Sequence, residues 1–317
     1  MTPLPDPIRR AIAHWLETGE IDLFIGYERG SVPLRATPCF VRDAADVERL
    51  IWDAACENNL AVYLPKYRGI KVGLMAKGCD ARAIVGLIQE GQVERENLRI
   101  VGVPCSGVVD ARKVAARLGI VVEELEQGIV MPDGDVEIDG ESIPADEALF
   151  DLCSTCNRRN PVVYDVLLGD SLPENDLPKD EFAHVRAMEA LDDEARWEAF
   201  NAELTRCNLC YACRNACPLC YCNTCFADRT MPRWFNQTGD PEDLQFYQIM
   251  RTFHLAGRCV GCGACTRACP QGVNLRLFLD KLRLDARELF GYEAGTDVKA
   301  RPPLTTYSPD DPDDFVL

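Results

Sequence analysis

The sequence has few histidines, no long apolar run, and fewer basic than acidic side chains. Its 317 residues include 3 histidines, and 51 acidic against 34 basic side chains give a formal net charge of −17. Nucleic-acid binding depends on Lys and Arg neutralising phosphates, so this charge excludes nucleic acid as the expected partner and favours a protein complex. No stretch reaches the roughly 18 apolar residues of a membrane span. The amino terminus, MTPLPDPIRR, also lacks the apolar core of a signal peptide. We therefore predict a cytoplasmic protein without membrane insertion.

Motifs for side-chain catalysis are absent too. The chain contains no G-x-S-x-G, H-E-x-x-H, G-x-G-x-x-G or P-loop sequence. His14, His184 and His254 are isolated from one another, and we predict that His14 and His254 are surface or interface groups. Chemistry beyond electron transfer would need a bound cofactor. The chain is therefore not expected to be catalytic alone.

Cysteine, by contrast, is abundant. The chain has 17 cysteines, an odd number, in metal-ligand spacings and without an export signal, which favours reduced thiolates in an anaerobic cell over a disulfide scaffold. The pattern C-x2-C-x2-C-x3-C-P occurs twice, and it is the ligand pattern of proteins that hold two 4Fe-4S clusters. The first run consists of Cys207, Cys210, Cys213 and Cys217, and the second of Cys259, Cys262, Cys265 and Cys269.

In this pattern the fourth cysteine of each run binds the other run's cluster. We therefore predict one cluster on Cys207, Cys210, Cys213 and Cys269, and a second on Cys259, Cys262, Cys265 and Cys217. Structural zinc also uses paired C-x2-C motifs, but it rarely shows four cysteines in one eleven-residue run that ends in proline. A zinc-bound scaffold protein is the alternative that this spacing disfavours.

The pattern of residues predicts an α/β fold with a mixed sheet and flanking helices, followed by a mainly helical dicluster ferredoxin domain. The predicted parts are an α/β domain at 1–170, a linker at 171–185, the ferredoxin domain at 186–292, and an acidic tail at 293–317. Apolar runs predict strands at 60–64, 72–76 and 98–103, and a β-hairpin at 128–143. Helical periodicity predicts helices at 81–90, 111–118, 186–204, 241–256 and 275–289.

The remaining cysteines indicate more than a ferredoxin. Cys153 and Cys156 form a C-x2-C pair that lacks two ligands for a cubane, while Cys79 and Cys105 each lie in a turn between a strand and a helix. The alternative for Cys79 and Cys105 is that they are small buried core residues.

Three further thiols follow the first run closely. Cys220, Cys222 and Cys225 form either a further metal site, with Cys39 or Cys56 as a distant fourth ligand, or thiols that pack around the neighbouring cluster or replace one of its ligands. Cys39 and Cys56 themselves are expected in the core, Cys56 within a helical pattern.

Several of these features together resemble a known family. Lys66-Tyr67, Cys79-Asp80, Cys105, the Cys153 and Cys156 pair and the apolar run to Gly169 resemble the beta subunits of deazaflavin-reducing hydrogenases and deazaflavin-dependent formate dehydrogenases. The resemblance covers residues 60–170. It implies a third 4Fe-4S cluster on Cys79, Cys105, Cys153 and Cys156, beside FAD. For the FAD phosphates, Lys66 and Arg68 are the weak candidates, and a solvated basic turn is the alternative.

The cysteine-rich part resembles the iron-sulfur proteins of heterodisulfide-reductase-like complexes. Together the two resemblances imply an electron-transfer subunit of a cytoplasmic oxidoreductase complex, with heterodisulfide-reductase-like, hydrogenase or dehydrogenase subunits as partners. Electrons would pass one at a time through three or more 4Fe-4S clusters. The alternative is a self-contained flavin and iron-sulfur oxidoreductase that oxidises deazaflavin or NAD(P)H and reduces ferredoxin.

Overall fold

The structure is a computed structural model that describes residues 2–125, 128–130, 134–138, 140–173 and 180–306. The described residues form two compact units. The first is drawn from Met1–Ile84 and Glu90–Glu181, and the second from Val85–Gln89 and Phe182–Leu317. None of the described helices is both long enough and apolar enough to cross a membrane.

A five-stranded mixed sheet forms the centre of the first unit, and it confirms the predicted fold class. The strands are β1 (Leu23–Arg29), β2 (Ala36–Val41), β3 (Val72–Lys77), β4 (Leu98–Val103) and a short β8 (Val166–Leu167). Their order is β2-β1-β3-β4-β8, with β2 antiparallel to β1 and the other neighbours parallel. All six residues of β3 are buried, as expected for a strand covered on both faces. The predicted strands at 72–76 and 98–103 are thus confirmed.

Helices α1 (Asp6–Glu17), α2 (Gly78–Gln89) and α3 (Ala111–Leu118) accompany this sheet. The predicted helices at 81–90 and 111–118 correspond to α2 and α3. The predicted strand at 60–64 is wrong, because these residues belong to a 3-10 helix, Leu60–Tyr67. The Asn59 side chain accepts the Ala61 amide and starts that helix, while Pro65 has no N–H to give to a sheet.

A second, antiparallel sheet contains β5 (Ile129–Val130), β6 (Val136–Ile138) and β7 (Glu141–Ile143). Strands β6 and β7 pair on either side of Gly140, whose φ of 80° suits a tight turn. The hairpin prediction is confirmed for these strands, whereas Pro132 and Asp133 of the other predicted turn lie outside the described residues. Two short helices follow, α4 (Ala145–Ala148) and α5 (Asp151–Ser154).

The second unit is helical in its described part. It contains α6 (Ala183–Glu189), α7 (Asp193–Leu204), α8 (Ala212–Asn215), α9 (Pro241–Phe253), α10 (Ala264–Arg267) and α11 (Arg276–Phe290). The single helix predicted at 186–204 is wrong, because the chain breaks after α6 and Asp192 caps α7 by accepting the Ala195 amide at 2.9 Å. Helices α9 and α11 lie close to the predicted 241–256 and 275–289.

Two predicted segments fall partly outside the described residues. Of the predicted linker at 171–185, residues 174–179 are not described and α6 begins at Ala183. Of the predicted tail at 293–317, residues 307–317 are not described, while Pro303–Thr305 form a 3-10 turn. The domain limits therefore stay a prediction.

Candidate metal centres

The two cysteine runs share one backbone conformation. In the first run Leu209 and Tyr211 are left-handed, with φ of 53° and 60°. In the second run the equivalent positions are Gly261 and Gly263, with φ of 69° and 67°. Each run then enters a four-residue helix, α8 or α10, which begins one residue before its third cysteine. Alternating turns of this kind aim successive backbone amides towards an anion. The same anion-facing loop is therefore built twice.

Non-glycine residues in this conformation carry strain. A left-handed backbone costs an L-residue about 1–2 kcal/mol. Two such residues in one short loop persist only where the surrounding structure fixes them, which is common at functional sites. The strain marks the first run as a constrained ligand loop rather than an ordinary surface turn.

Several donors point at the cysteine sulfurs of this unit. The Gly261 amide donates to Cys259 Sγ at 3.4 Å, and the Val273 amide donates to Cys269 Sγ at the same distance. From α9, Gln248 Nε2 donates to Cys207 Sγ at 3.4 Å. Donors of this kind favour a thiolate over a thiol and tune the potential of a cluster that the thiolate binds. The donor set therefore fits iron-sulfur ligation.

Two buried arginines donate hydrogen bonds to backbone carbonyls of the two cysteine runs. Arg251 Nη2 donates to the Cys213 carbonyl at 3.1 Å, and Arg267 Nη1 donates to the Cys262 carbonyl at 2.6 Å. Burial raises the pKa of the Cys262 thiol to about 11, although Arg267 acts to lower it. Metal binding must therefore displace protons from such thiols.

No three His, Cys, Asp or Glu side chains within the described ranges lie close enough together to share one metal ion. A single zinc ion needs its ligands at about 2.0–2.3 Å from one point. The ligands of a cubane, in contrast, bind four separate iron atoms and stand farther apart. The assignment of the eight cysteines to two clusters stays a prediction.

Three of the four cysteines of the predicted third site meet at one edge of the five-stranded sheet. Cys79 lies in the first turn of α2, directly after β3, and Cys105 follows β4. These parallel strands are in register from Val72↔Leu98 to Lys77↔Val103, so both turns lie at their carboxyl ends. That edge is where ligands bind in open α/β sheets. Cys153, in α5, comes to the same place, because an added Cβ on Gly107 would lie 3.3 Å from Cys153 Cβ.

The segment after Cys156 closes this edge. The Cys105 amide donates to the Arg159 carbonyl at 3.0 Å. An added Cβ on Gly78 would lie 2.1 Å from the Arg158 carbonyl oxygen, so only glycine fits beside Cys79. Burial raises the pKa of Cys105 to about 12, and the nearby Cys153 and Cys156 thiols act in the same direction. All four cysteines therefore belong to one neighbourhood.

A buried charged pair next to this edge was not predicted. Lys77, the last residue of β3, is 1% exposed and lies 3.0 Å from Asp80 Oδ2, with Asp80 fully buried. Lys77 Nζ also donates to Tyr27 Oη at 2.6 Å, the Asn58 carbonyl at 2.7 Å and the Cys56 carbonyl at 3.0 Å. Burial acts to lower the pKa of Lys77, but Asp80, Tyr27 and Cys79 together outweigh burial and raise the pKa, so the lysine stays charged. The sequence signal was a lysine at the end of an otherwise apolar strand.

The weak flavin candidates lie at the end of the 3-10 helix. Lys66 Nζ is 6.0 Å from the centre of the Tyr63 ring. Arg68 borders a cavity of about 140 Å³, with Tyr67, Gln92 and Glu94 also in its wall. Pockets for ligands of drug size measure about 300–1,000 Å³. The cavity is smaller than a pocket of that kind.

The other cysteines and histidines fall into separate groups. Cys39 and Cys56 are buried in the first unit, which agrees with the core expected for them, but Cys56 lies in an irregular segment rather than a helix. His184 Nε2 lies 3.1 Å from Asp280 Oδ2. Cys220, Cys222 and Cys225 line one cavity with His254, which the sequence did not connect with them.

Comparison with known proteins agrees with this geometry. Residues 184–273 match the family described as "4Fe-4S dicluster domain". This segment is a 4Fe-4S dicluster domain. It contains both cysteine runs, α6 except for its first residue, all of α7 to α10, and the repeated left-handed loop.

Over most of its length the chain is similar to curated beta subunits. It is 24% identical to the F420-dependent formate dehydrogenase subunit beta of Methanocaldococcus jannaschii, over 90% of this chain and 89% of that protein. It is also 24% identical to the F420-dependent formate dehydrogenase 1 subunit beta of Methanococcus maripaludis, over 91% and 90%. The resemblance to the beta subunits of deazaflavin-dependent formate dehydrogenases is confirmed.

A solved structure overlaps part of the chain. It is the xenon-derivatised F420-reducing NiFe hydrogenase complex from Methanosarcina barkeri, with 16% identity, a TM-score of 0.37, and coverage of 48% of this chain and 59% of that chain.

Proposed function

We propose that this chain is the iron-sulfur electron-transfer subunit of an oxidoreductase complex. The single observation that carries the proposal is the left-handed cysteine loop built twice in the dicluster domain, with amide and side-chain donors on its sulfurs. Such a site exchanges single electrons and neither forms nor breaks bonds in a substrate. The protein contributes position, hydrogen bonds and charge, which set the potentials of the clusters.

Crossed ligation is the arrangement we propose for the dicluster domain. Cys207, Cys210, Cys213 and Cys269 would hold one cluster, and Cys259, Cys262, Cys265 and Cys217 the other. In support of this, burial raises the pKa of Cys262 in the second run, and Cys217 of the first run lies close enough to raise it further. Cys217→Ala should therefore damage the cluster held mainly by the second run. If only the cluster of the first run suffers, each run binds its own.

A third cluster on Cys79, Cys105, Cys153 and Cys156 is the second part of the proposal. It is supported by the gathering of these residues at the carboxyl edge of β3 and β4. The clusters supply one-electron storage when bound. The buried Lys77 ammonium, which lies two residues before Cys79, would stabilise the more negative, reduced state of this site. FAD stays a candidate cofactor beside this cluster, and no step is assigned to it.

The partners would be other redox subunits. The M. jannaschii and M. maripaludis relatives are named as beta subunits of F420-dependent formate dehydrogenases. By similarity we propose a dehydrogenase or hydrogenase complex in the cytoplasm, with a heterodisulfide-reductase-like complex as a further candidate partner. The alternative, a self-contained flavoenzyme that oxidises deazaflavin or NAD(P)H, predicts tightly bound flavin and activity of the isolated chain.

The deciding experiment is iron and acid-labile sulfide per chain after purification without oxygen. Two cubanes correspond to about eight irons, three to about twelve and four to about sixteen. Cys156→Ser should remove about four irons and leave the dicluster signals in the electron paramagnetic resonance (EPR) spectrum unchanged. Ser154→Ala, in the same segment but without sulfur, is the matched control. Loss of all iron from Cys156→Ser would contradict the assignment of the third cluster to a separate set of ligands.

A further inference from the structure

A cavity of about 180 Å³ lies beside the loop that follows the first cysteine run. Its wall includes three thiols, one imidazole and two guanidinium groups, namely Cys220, Cys222, Cys225, His254, Arg214 and Arg258. All three cysteines are free of disulfides. We infer that this cavity holds a further 4Fe-4S cluster, with Cys220, Cys222, Cys225 and His254 as its ligands. The inference goes beyond the proposed relay and does not depend on the third cluster.

The loop brings the thiols together through its turns. The Cys220 amide donates to the Cys217 carbonyl at 3.1 Å, which turns the chain back directly after Pro218. Cys225 is the residue before the 3-10 helix Phe226–Asp228, and its carbonyl accepts the Asp228 amide at 3.0 Å. Both ends of the C-x-C-x2-C segment are thus fixed by backbone hydrogen bonds. The three thiols line the cavity because of this fixed fold.

Helix α9 supplies the fourth ligand. His254 follows the last residue of α9, and its amide donates to the Met250 carbonyl at 3.0 Å. Its ring meets the Phe226 ring edge to face, with centroids 5.2 Å apart. Since Phe226 directly follows Cys225, this contact places the imidazole next to the thiol segment. Three thiolates and one imidazole complete a set of four ligands, which the three cysteines alone could not do.

The charges around the cavity suit a negatively charged cluster. Arg214 is held by both oxygens of Asp228 at 2.9 Å and also contacts Cys225. Arg258 Nη2 donates to Tyr221 Oη at 3.1 Å and to the Leu219 carbonyl at 3.2 Å. Guanidinium groups fixed in this way offset the charge of three thiolates, and net charge is one of the factors that set cluster potential.

The space available favours a cluster over a single ion. A zinc ion with the same four ligands would draw them to within about 2.0–2.3 Å of one point. A cavity of about 180 Å³ instead leaves room for a group of several atoms.

The position of the site suggests its role in the relay. The Cys220 thiol is hydrogen-bonded to that of Cys217, a predicted ligand of the dicluster. At the other side Cys222 and His254 are exposed. An electron could therefore enter from the dicluster and leave to an external one-electron carrier, without any bond being made or broken. The site would be the surface end of the relay.

The test compares a double variant with a matched control from the same loop. Cys222→Ser with Cys225→Ser should lower iron and sulfide by about four each per chain, while the EPR signals of the dicluster domain remain. Asn223→Ala with Thr224→Ala changes two exposed residues between the same cysteines and should lower neither. Unchanged iron in the cysteine variant would overturn the inference, because the thiols would then only pack around the neighbouring cluster. One zinc per chain that disappears with the cysteines would overturn it too.

The histidine is tested by a separate readout. In reduced protein labelled with ¹⁵N-histidine, pulsed EPR should detect a nitrogen coupling to one cluster, and His254→Ala should abolish it. His254→Cys should keep the iron and lose the coupling. A wild-type protein without any histidine coupling would refute His254 as a ligand. Combining Cys156→Ser with the Cys222 and Cys225 double variant separates this site from the third cluster. The loss of iron caused by each change should then add to the other.

Discussion

Asp280 offers the sharpest test of how α11 supports the second cysteine run. Its carboxylate is 1% exposed and lies 2.7 Å from Arg283 Nη1, 3.0 Å from Arg276 Nη2 and 3.1 Å from His184 Nε2. Arg283 in turn lies against the second run, since an added Cβ on Gly261 would be 2.4 Å from Arg283 Nη1. Asp280→Asn should therefore leave buried cations without their counter-ion and loosen the ligand loop.

The magnitude follows from the pKa of the carboxyl group. Burial acts to raise the pKa of Asp280, but His184, Arg283 and Arg276 outweigh it and lower the pKa from 3.8 to about 2. A difference of about 1.8 in pKa corresponds to about 2.5 kcal/mol of stabilisation of the folded state. Because the folded pKa is the lower one, this stabilisation is complete above about pH 4 and is lost as the pH falls through about 2.

The assay is the rate at which the clusters bleach in urea without oxygen, followed by visible absorption. At pH 7 the clusters of Asp280→Asn should bleach at least tenfold faster than those of the wild type. The loss of about 2.5 kcal/mol divides between the folding and the unfolding rate, and bleaching reports only the share in the unfolding rate. The ratio between variant and wild type should shrink below about pH 4. Asp285→Asn, on the same helix, removes a half-exposed pair with Lys281 and should cost less than about 1 kcal/mol. Equal effects of the two variants would refute the reasoning.

Three further changes test other parts of the structure. Gly78→Ala should destabilise the first unit and remove the third cluster, because its Cβ would meet the Arg158 carbonyl; full iron content would contradict this. Leu209→Gly should stabilise the dicluster domain by about 1 kcal/mol with an unchanged visible spectrum, since it relieves a left-handed backbone; slower bleaching is the expected result. Lys77→Met should destabilise the chain by about 3–5 kcal/mol, because Asp80 would stay buried without its partner; urea unfolding followed by tryptophan fluorescence would show an unchanged midpoint if that pair carried no net stability.

Features with a strong local signal could be predicted from the sequence. The apolar runs of β3 and β4, the helices α2, α3, α9 and α11, and the two cysteine runs each have a period or spacing that one window of sequence contains. The errors arose where local and tertiary signals compete. Residues 60–64 are apolar enough for a strand, but the Asn59 cap and Pro65 select a 3-10 helix. At 186–204 the hydrophobic period continues through a break that Asp192 caps.

The sequence predicts which cysteines form the candidate sites, but not which other residues surround them. Spacing identifies Cys79 and Cys105 as residues in turns, whereas only parallel pairing of β3 with β4 brings them to one edge. The distance in sequence between Lys77 and Tyr27 conceals their contact, and a lysine in a core is not expected without its partners in view. His254 is exposed, as predicted, but its 29 residues of separation from Cys225 carry no metal-ligand spacing, so the sequence does not indicate that the two line one cavity.

The first cysteine run explains how a strained loop can persist without glycine. The Tyr211 side chain makes contacts that a glycine could not make, and these contacts offset the strain of its left-handed backbone. Its ring lies 5.1 Å from the Tyr247 ring, edge to face, and 4.7 Å from the Arg214 guanidinium. Tyr247 Oη in turn lies 3.8 Å from Cys213 Sγ, so the side chain that offsets the strain also positions a ligand. Leu209 carries no aromatic ring to stack in this way, so relief of strain should be visible at Leu209 and concealed at Tyr211. The two runs therefore reach one backbone by different means, conformational freedom in the second and side-chain packing in the first.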